Sequence, residues 1–271
     1  MTVETEQTDE AQAAVGDDQK TAFALDGLYK AFGEYAAVRH AGLTVRPGSF
    51  YGLVGPNGAG KTTMLSMAVG LLRPDEGHSR VFGIDVWSEP ERAKELMGVL
   101  PDSLALPEQL TGRELLTFLG QLRGLDKTTV KERVDELLAV LELDGDTERT
   151  LVIDYSTGMR KKIGLATALL HGPRLLVLDE PFEAIDPVSA AMLKRILNRF
   201  VASGGSVLLS SHVMALVEQL CDTVAVMAKG EVVAEGPLDQ VRGSRSLEET
   251  FVELVGVELE GEQEGLSWLA R

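Results

Sequence analysis

A glycine-rich segment between two apolar stretches constrains the fold of this chain more than any other feature. It reads Gly55-Pro-Asn-Gly-Ala-Gly-Lys-Thr62, which matches G-x-x-x-x-G-K-[ST] at every fixed position. The letters SFYGLV before it predict a strand, and the letters TMLSMAVGLL after it predict a helix. Glycines let backbone N–H groups turn inward, and the helix presents the positive end of its dipole. The segment therefore predicts a phosphate-binding loop.

The phosphate-binding loop predicts ATP and Mg²⁺ as cofactors. The Lys61 ammonium is expected to reach the β- and γ-phosphates, and the Thr62 hydroxyl to bind Mg²⁺. The alternative is a glycine-rich turn that binds nothing, but such a turn needs neither the lysine nor the flanking strand and helix. The residues predicted to surround the nucleotide here are Gly55, Pro56, Asn57, Gly58, Ala59, Gly60, Lys61, Thr62 and Thr63.

A second signal is an apolar run, Leu175–Leu178, that ends in the two carboxylates Asp179 and Glu180. Buried strands carry acids at their carboxyl ends when a ligand lies there. Asp179 is predicted to bind Mg²⁺, and Glu180 to polarise a water molecule towards the γ-phosphate. Alone, the pair fits a helix cap equally well. Together with the phosphate-binding loop, it predicts ATP hydrolysis.

Short apolar runs alternate with helical patterns along residues 21–240. Runs of this length suit strands that are buried on both faces, as in a parallel sheet. The alternation predicts an α/β domain with a mainly parallel central sheet and crossover helices. The predicted strands include Phe50–Val54, Leu175–Leu178, Val207–Leu209 and Thr223–Met227, and the predicted helices include Thr62–Leu72 and Ser189–Phe200.

The middle of the chain, Pro101–Asp154, predicts an all-helical insert instead. Thr111 and Glu114 have the spacing of a capping box before the apolar pattern LLTFLGQL. A second helix is predicted from apolar positions at helical spacing, which are Val130, Val134, Leu137, Leu138 and Leu141.

Composition excludes several classes of function. The formal net charge of -16 argues against binding a nucleic-acid backbone, which requires clustered Lys and Arg. The apolar stretches have strand length and fall far short of the ~20 residues that a membrane-spanning helix requires. Cys221 is the only cysteine, so no internal disulfide is possible, and a small buried hydrophobic residue is expected there. His40, His78 and His171 have no metal-ligand spacing and are expected to be surface or packing residues.

Both ends of the chain are acidic. Residues 1–20 predict a disordered tail. Residues 241–271 predict a helical and acidic extension, in which Trp268 and Leu269 either dock on a partner or belong to a frayed end.

Taken together, these motifs resemble those of the ATP-binding-cassette (ABC) ATPases, over about residues 21–255. The loop contains the tripeptide Asn57-Gly58-Ala59 typical of that family. Tyr155-Ser-Thr-Gly-Met159 resembles the family signature, usually written LSGGQ, in a form seen in many drug and antibiotic efflux subunits of the ABC-2 type. The segment from Glu180 to Asp186 resembles the D-loop, and Ser210-Ser-His212 resembles the switch motif.

The resemblance implies a role for each of these segments. The signature residues Ser156, Gly158 and Met159 would bind the γ-phosphate of a nucleotide held by the opposite subunit, and Asp186 would contact that subunit. His212 would touch the γ-phosphate and act in catalysis with Glu180 and Lys61. Phe32 would stack on the adenine, although Tyr29 and Tyr35 are nearby alternatives, and any of the three aromatics could simply be packed.

One position departs from the family pattern. Asp102 follows the strand-like letters MGVL where the family usually has a glutamine whose loop contacts Mg²⁺ and senses the membrane subunit. Aspartate also accepts hydrogen bonds and binds hard cations, so Asp102 is a candidate metal ligand. An exposed loop acid with no role is an equal alternative.

The family fold is a P-loop NTPase with an antiparallel β edge region. The resemblance implies an ABC ATPase domain over residues 21–240, with a helical subdomain inserted at about 101–160. It also implies a cytoplasmic subunit, peripheral at the inner face of the plasma membrane, that pairs with a second ATP-binding subunit, itself or a homologue. Its hydrolysis of ATP would power a separate integral-membrane permease that exports a drug, an antibiotic or a lipid-like cargo.

Three alternatives remain at this point. A hydrolysis-deficient regulatory half of a heterodimeric complex would retain ATP binding, and the aspartate at 102 keeps that reading open. A cassette ATPase of translation or DNA repair usually has two cassettes or a long coiled-coil insert, for which this chain has no room. Another P-loop enzyme, such as a small-molecule kinase, is disfavoured by the YSTGM and SSH motifs.

Overall fold

The computed structural model describes residues 21–103 and 105–255. The predictions for residues 1–20, Trp268 and Leu269 lie outside the described residues.

A small antiparallel sheet forms one side of the domain. Its strands lie in the order β2-β1-β4-β5, and each neighbouring pair is antiparallel. The strands are β1 (Phe23–Phe32), β2 (Tyr35–Val45), β4 (Glu76–Val81) and β5 (Ile84–Asp85).

A second, larger sheet lies at the centre, with the order β10-β9-β3-β8-β7-β6 among the described residues. Pairing is parallel from β9 to β6, and only β10 at the edge is antiparallel to its neighbour. The strands are β3 (Phe50–Val54), β6 (Met97–Leu100), β7 (Leu175–Leu178), β8 (Ser206–Ser211), β9 (Thr223–Ala228) and β10 (Glu231–Pro237). The predicted mixed α/β class is confirmed.

The central strands are apolar throughout because both faces of the large sheet are covered. On β3, Phe50 and Val54 belong to an apolar cluster formed mainly with helices. Tyr51 and Leu53, which point to the opposite face, belong to a second cluster shared with the antiparallel sheet. The sheet thus separates two cores, and a continuous apolar run is what each central strand requires.

Helices cover the large sheet and fill the insert. None of the described helices is long and apolar enough to cross a membrane. They are α1 (Lys61–Ala68), α2 (Pro90–Leu96), α3 (Gly112–Leu122), α4 (Lys127–Val140), α5 (Thr157–Leu169), α6 (Pro187–Ala202), α7 (Met214–Leu220), α8 (Leu238–Arg242) and α9 (Leu247–Val255).

The helix after the phosphate-binding loop is shorter than predicted. Its apolar pattern extends to Leu72, but α1 ends at Ala68. Gly70 adopts a φ of 81°, a left-handed conformation that an α-helix does not contain. The prediction of a helix over Thr62–Leu72 is therefore wrong at its carboxyl end.

The insert between β6 and β7 is helical, as predicted. The Thr111 side chain accepts from the Glu114 N–H, and the Glu114 carboxylate accepts from the Thr111 N–H, so the capping box is present. Asp126 caps α4 by accepting from the N–H groups of Thr128 and Thr129. Two short 3₁₀ turns, Gly145–Arg149 and Val152–Asp154, lead the chain back to α5.

The single cysteine lies in the helical core. Cys221 follows α7, is 6% exposed, and packs against β3 at Gly52, where an added Cβ would lie 3.0 Å from its Sγ. Burial raises the pKa of the Cys221 thiol. The predicted buried, small apolar role is confirmed.

Gly98 on β6 is a point of close approach between the large sheet and α5. A Cβ at this position would lie 2.1 Å from the carbonyl oxygen of Ala168, which is backbone and cannot rotate away. We expect Gly98→Ala to lower the free energy of unfolding by about 1–3 kcal/mol, because α5 must shift from the sheet. Urea unfolding followed by circular dichroism measures this change, and an unaltered midpoint would contradict the tight packing.

Candidate active site

Four adjacent parallel strands end at the same edge of the large sheet, and the predicted site residues follow those ends. The phosphate-binding loop follows β3, His212 follows β8, Asp179 and Glu180 follow β7, and Asp102 lies after β6. Ligands of open α/β sheets bind at this edge. A cavity of about 390 Å³ lies there, lined by Tyr35, Ala37, residues 56–63, Asp102, Glu180, Glu183 and His212.

At two positions of the loop the structure leaves no room for a residue other than glycine. Gly60 adopts a φ of 104°, and a Cβ there would lie 2.5 Å from the carbonyl oxygen of Ala37. At Gly55 a Cβ would lie 2.2 Å from the carbonyl oxygen of Met227. The Gly230 N–H donates to the Ala59 carbonyl at 2.9 Å, which fixes the loop to the turn between β9 and β10. These close contacts and the hydrogen bond from Gly230 hold the loop in its curled conformation.

The Lys61 ammonium is buried at the mouth of the loop, with the residue 5% exposed. It donates to the carbonyls of Gly55 at 2.7 Å and of Pro56 at 3.4 Å. It also lies 3.3 Å from Glu180 Oε1. The contact with Glu180 is an ion pair rather than a hydrogen bond, because Oε1 makes no hydrogen bond to any described residue.

Glu180 is 9% exposed and is fixed by its own backbone. Its N–H donates to the Ser210 hydroxyl at 2.9 Å, and its carbonyl accepts from the Lys161 ammonium at 3.0 Å. One carboxylate oxygen, Oε2, lies 3.1 Å from His212 Nδ1. The other, Oε1, is a buried acceptor without a hydrogen bond from the described residues, and is thus available to orient a water molecule.

Asp179 is buried, with the residue 4% exposed. Burial is the main cause that raises the pKa of its carboxyl, and the charges of Asp102 and Glu180 raise it further. Hydrogen bonds from Ser210, at 2.5 Å, and from the Thr62 side chain partly offset this rise. The raised pKa shows that the ionised carboxylate is poorly compensated, and a bound cation would correct this.

The residues present fit Mg²⁺. Within residues 21–103 and 105–255, no group of three or more His, Cys, Asp or Glu is arranged to hold a metal. Mg²⁺ does not need such a group, because it binds through one or two carboxylates together with substrate phosphates and water. Thr62 and Asp179 supply the hydroxyl and the carboxylate of such a site.

Asp102 lies in the site rather than on an isolated loop. Its side chain lines the nucleotide-sized cavity and also a more apolar cavity of about 540 Å³ beside α1. Its Oδ1 lies 3.7 Å from the Lys161 ammonium. The side chain is 42% exposed, as the alternative of an exposed loop acid expects, and binding of Mg²⁺ by Asp102 stays a prediction.

The signature residues do not line this cavity. Ser156 caps α5, where its Oγ accepts from the Met159 N–H at 3.2 Å, and Gly158 lies in the first turn. Asp186 caps α6 and lies close to that turn, because a Cβ on Gly158 would be 3.8 Å from its Oδ2. The capping bonds lower the pKa of the Asp186 carboxyl. These residues form a separate surface, as expected if they face a second subunit.

Of the three aromatic residues near the loop, only Tyr35 lines the cavity. Phe32 faces Tyr35 across the β1–β2 hairpin and is 52% exposed, and the Lys30 ammonium lies 5.9 Å from its ring centroid. Tyr29 stacks on His40 at a centroid distance of 5.0 Å. The structure thus separates Tyr29 from the cavity and leaves Phe32 beside it.

Sequence reasoning missed Ser210, Lys161 and Glu183 as members of this site. Ser210 is the first residue of the SSH motif, and Glu183 lies within the D-loop-like segment, so both had a signal. Lys161 had none beyond its place after the signature, because its contacts come from two distant loops.

Known proteins match the chain in sequence and in fold. A profile described as ABC transporter matches residues 38–183. The daunorubicin/doxorubicin resistance ATP-binding protein DrrA of Streptomyces peucetius is 39% identical over 223 residues, 82% of this chain and 67% of that protein. The linearmycin resistance ATP-binding protein LnrL of Bacillus subtilis is 37% identical over 213 residues, 78% of this chain and 68% of that protein.

Two solved structures show the same architecture. An ATP-binding subunit of an ABC transporter superposes with a TM-score of 0.78 at 30% identity, over 86% of this chain and 99% of that chain. A dimeric ATP-binding cassette in a post-hydrolysis state, bound to ADP and Pi, gives 0.73 at 22% identity, over 79% of this chain and 98% of that chain. The second likeness concerns the fold alone.

The variant Asp179→Asn distinguishes the effect of Asp179 on the stability of the ligand-free protein from its effect on the binding of Mg-ATP. Because Asn keeps an acceptor for Ser210 and removes a poorly compensated charge, we expect the free energy of unfolding of the ligand-free protein to stay equal or rise by up to ~1 kcal/mol. Mg-ATP at about 100 times its Kd should stabilise the wild type by ~2.7 kcal/mol and the variant far less. Thermal unfolding with and without Mg-ATP measures both, and equal stabilisation of the two proteins would contradict this role.

Proposed function

The chain belongs to the ABC transporter family, whose cassettes bind and hydrolyse ATP, and we propose that it powers a separate integral-membrane permease. The observation that carries the proposal is the gathering of Lys61, Asp179, Glu180 and His212 at one sheet edge, where all of them but Asp179 line a cavity of about 390 Å³. The names of the relatives, resistance proteins for daunorubicin and linearmycin, support export of a small molecule such as a drug, an antibiotic or a lipid-like cargo.

Binding of the triphosphate would use the loop and the start of α1. The backbone N–H groups of the curled loop and the helix N-terminus favour an anion. The Lys61 ammonium, which now donates to two carbonyls of its own loop, would exchange these contacts for phosphate oxygens. Thr62 and Asp179, with Asp102 as a further candidate, would hold Mg²⁺, which when bound neutralises phosphate charge.

Hydrolysis requires a water molecule held opposite the leaving phosphate. Glu180 Oε1 is the buried acceptor available to orient that water and take its proton. His212 contacts Oε2 at 3.1 Å, which orients the carboxylate and places the imidazole at the cavity wall. Oε1 lies 3.3 Å from the Lys61 ammonium and makes no hydrogen bond to the described residues. Lys61 adds positive charge on the same side, where negative charge develops on the phosphate.

The adenine of the nucleotide would lie against the β1–β2 hairpin. Tyr35 lines the cavity, and Phe32 pairs with Tyr35 in the register of the hairpin, so both residues lie at this side of the cavity. Both are more than half exposed, which suits a stacking surface that a ligand covers. We assign the stacking role to Phe32, with Tyr35 as the neighbouring wall.

A second ATP-binding subunit, a copy or a homologue, would complete the site. Ser156, Gly158, Met159 and Asp186 lie outside the cavity of their own chain, so they are available to a nucleotide held by another. The dimeric cassette bound to ADP and Pi is a precedent for such pairing. Loss of the γ-phosphate would remove the bridging ligand and reopen the pair.

The permease would meet the chain at the inner face of the plasma membrane, where a cytoplasmic subunit has access to ATP. The cavity of about 540 Å³ between α1 and the Asp102 loop is mostly apolar, with Leu65, Val69 and Val99 in its wall. It opens next to the metal site through Asp102 and Thr62, so movement there would reach the nucleotide. The net charge of -16 supports no nucleic-acid partner.

The hydrolysis-deficient alternative has no support from the site. A regulatory half needs no base, yet Glu180 is buried, oriented by His212 and paired with Lys61. The relatives reported above are ATP-binding proteins of transporters or resistance systems, which also disfavours a kinase or a repair ATPase.

Glu180→Gln tests the proposed base. We expect the rate of phosphate release to fall by ~10²–10⁴-fold, because Gln cannot accept the proton, while ATP affinity changes little. Steady-state Mg-ATPase assays over a range of protein concentrations, with equilibrium dialysis of ATP, measure both. Glu95→Gln, an exposed change on α2 remote from the cavity, is the matched control. A normal rate for Glu180→Gln would show that another group is the base.

Lys61→Met tests the proposed phosphate contact. Removing the preorganised charge should raise the activation barrier by about 3 kcal/mol or more and weaken ATP binding. The ratio kcat/KM for Mg-ATP, compared with that of Lys61→Arg, measures the loss. A variant that keeps both kcat and ATP affinity would rule out contact between Lys61 and the triphosphate.

A further inference from the structure

Lys161 is a buried charge in the helix that follows the signature residues. It lies on α5, is 8% exposed, and therefore needs partners for its ammonium. Its Nζ donates to the Glu180 carbonyl at 3.0 Å and lies 3.7 Å from Asp102 Oδ1. One side chain thus joins α5, the loop after β7 and the loop after β6.

The contact with Glu180 matters because the backbone there is unusual. Glu180 adopts a φ of 46°, a left-handed conformation that L side chains rarely adopt. Such a conformation persists only when its surroundings hold it. The Ser210 hydroxyl accepts from the N–H of Glu180, and Lys161 donates to its carbonyl, so the residue is held on both sides. These two bonds hold the main chain from which the carboxylate of the proposed base extends.

The contact with Asp102 balances charge. Asp102, Asp179 and Glu180 bring three carboxylates to one edge of the sheet. Lys61 faces them from the phosphate-binding loop, and Lys161 faces them from the Asp102 side. A glutamine, usual in the family at position 102, would give Lys161 no ion pair. The aspartate of this chain therefore has a cation placed to compensate it.

We propose that Lys161 is a positioning residue for hydrolysis, which holds Glu180 through its main chain and compensates Asp102. The inference rests on the proposed ATPase function. Lys161 acts through Glu180 and Asp102 and contacts no substrate. It also lies ~7.5 Å along the helix axis from Ser156, so movement of the signature residues on a partner's nucleotide would reach Glu180 of the same chain.

The chain offers a matched control for this role. Lys162 is the next residue on α5 and is also 8% exposed, but its ammonium lies 4.0 Å from Glu142 of the helical insert. Lys161→Met and Lys162→Met therefore remove the same charge from the same helix at equal burial. Their thermal unfolding midpoints report how much each change costs the fold.

The first measurement is kcat and KM for Mg-ATP in the wild type and in Lys161→Met, Lys161→Arg and Lys162→Met. We expect kcat of Lys161→Met to fall about 10- to 100-fold, as loss of a charged hydrogen bond predicts, with KM changed less than about threefold. Lys161→Arg, which keeps a charged donor, should recover most of kcat. A kcat for Lys161→Met equal to that of Lys162→Met would overturn the proposal.

The second measurement does not depend on turnover. It is the Mg²⁺ concentration that half-saturates binding of a fluorescent ATP analogue. Without Lys161, the uncompensated Asp102 strengthens the negative field at Asp179, so this concentration should fall at least about threefold in Lys161→Met. Adding Asp102→Asn should abolish the shift. A shift of the same size with and without Asp102→Asn, or no shift, would overturn the proposal.

The two measurements separate failure of the inference from failure of the proposed function. A wild type that binds the analogue but releases no phosphate, like Glu180→Gln, would contradict hydrolysis by this chain, and the Mg²⁺ titration would still decide on Lys161. Should Lys161→Met not fold, Lys161→Gln takes its place, because it keeps a donor for the Glu180 carbonyl but not the charge. Lys161→Gln should show the Asp102-dependent Mg²⁺ shift, with a smaller loss of kcat than the loss expected above for Lys161→Met. Absence of the shift would overturn the proposal.

Discussion

The parallel pairing of β3 with β8, of β8 with β7 and of β7 with β6 is the constraint on which the rest of the structure depends. Neighbouring strands lie ~4.8 Å apart, so residues just after their carboxyl ends must meet. Lys61, Asp102, Glu180 and His212 are far apart along the chain and come together for this reason alone. The same pairing demands apolar strands, because helices cover one face and the antiparallel sheet covers the other together with α1 and α2, which leaves the strands little contact with water.

The charged groups at this edge of the sheet lose hydration because most of them are buried. Asp179, Glu180, Lys61 and Lys161 are buried beside the more exposed Asp102, and the pKa of Asp179 is raised above its ordinary value by burial first and by its acidic neighbours next. An edge that was fully neutralised by protein groups would have little affinity for a cation. Under the proposed function, the incomplete compensation would favour a bound cation, and the two apolar cores supply the stability that tolerates the uncompensated charge.

Local patterns predicted the local features of the fold. Strand β3 begins and ends where its apolar run does, and the Thr111–Glu114 capping box forms, because both depend on near neighbours. The predicted end of α1 was wrong because the left-handed conformation of Gly70, rather than the apolar pattern, limits the length of the helix. The ionic partners of Asp102 and the main-chain support of Glu180 were beyond sequence reasoning, since Lys161 reaches both across three elements. Which of Phe32 and Tyr35 borders the cavity also depended on the twist of a hairpin rather than on spacing.

The burial of Cys221 has a practical consequence for spectroscopy. Cys221 carries the only thiol in the sequence, and its side chain packs between α7 and β3. Because burial also raises the pKa of the thiol, thiol reagents should react slowly with it. A single cysteine introduced at an exposed position such as Leu122 on α3, which is 72% exposed, would then carry a fluorophore or spin label at one defined place. The chain is therefore already a background for site-specific labelling, and a label on the helical insert would report its position relative to the large sheet without prior removal of a native thiol.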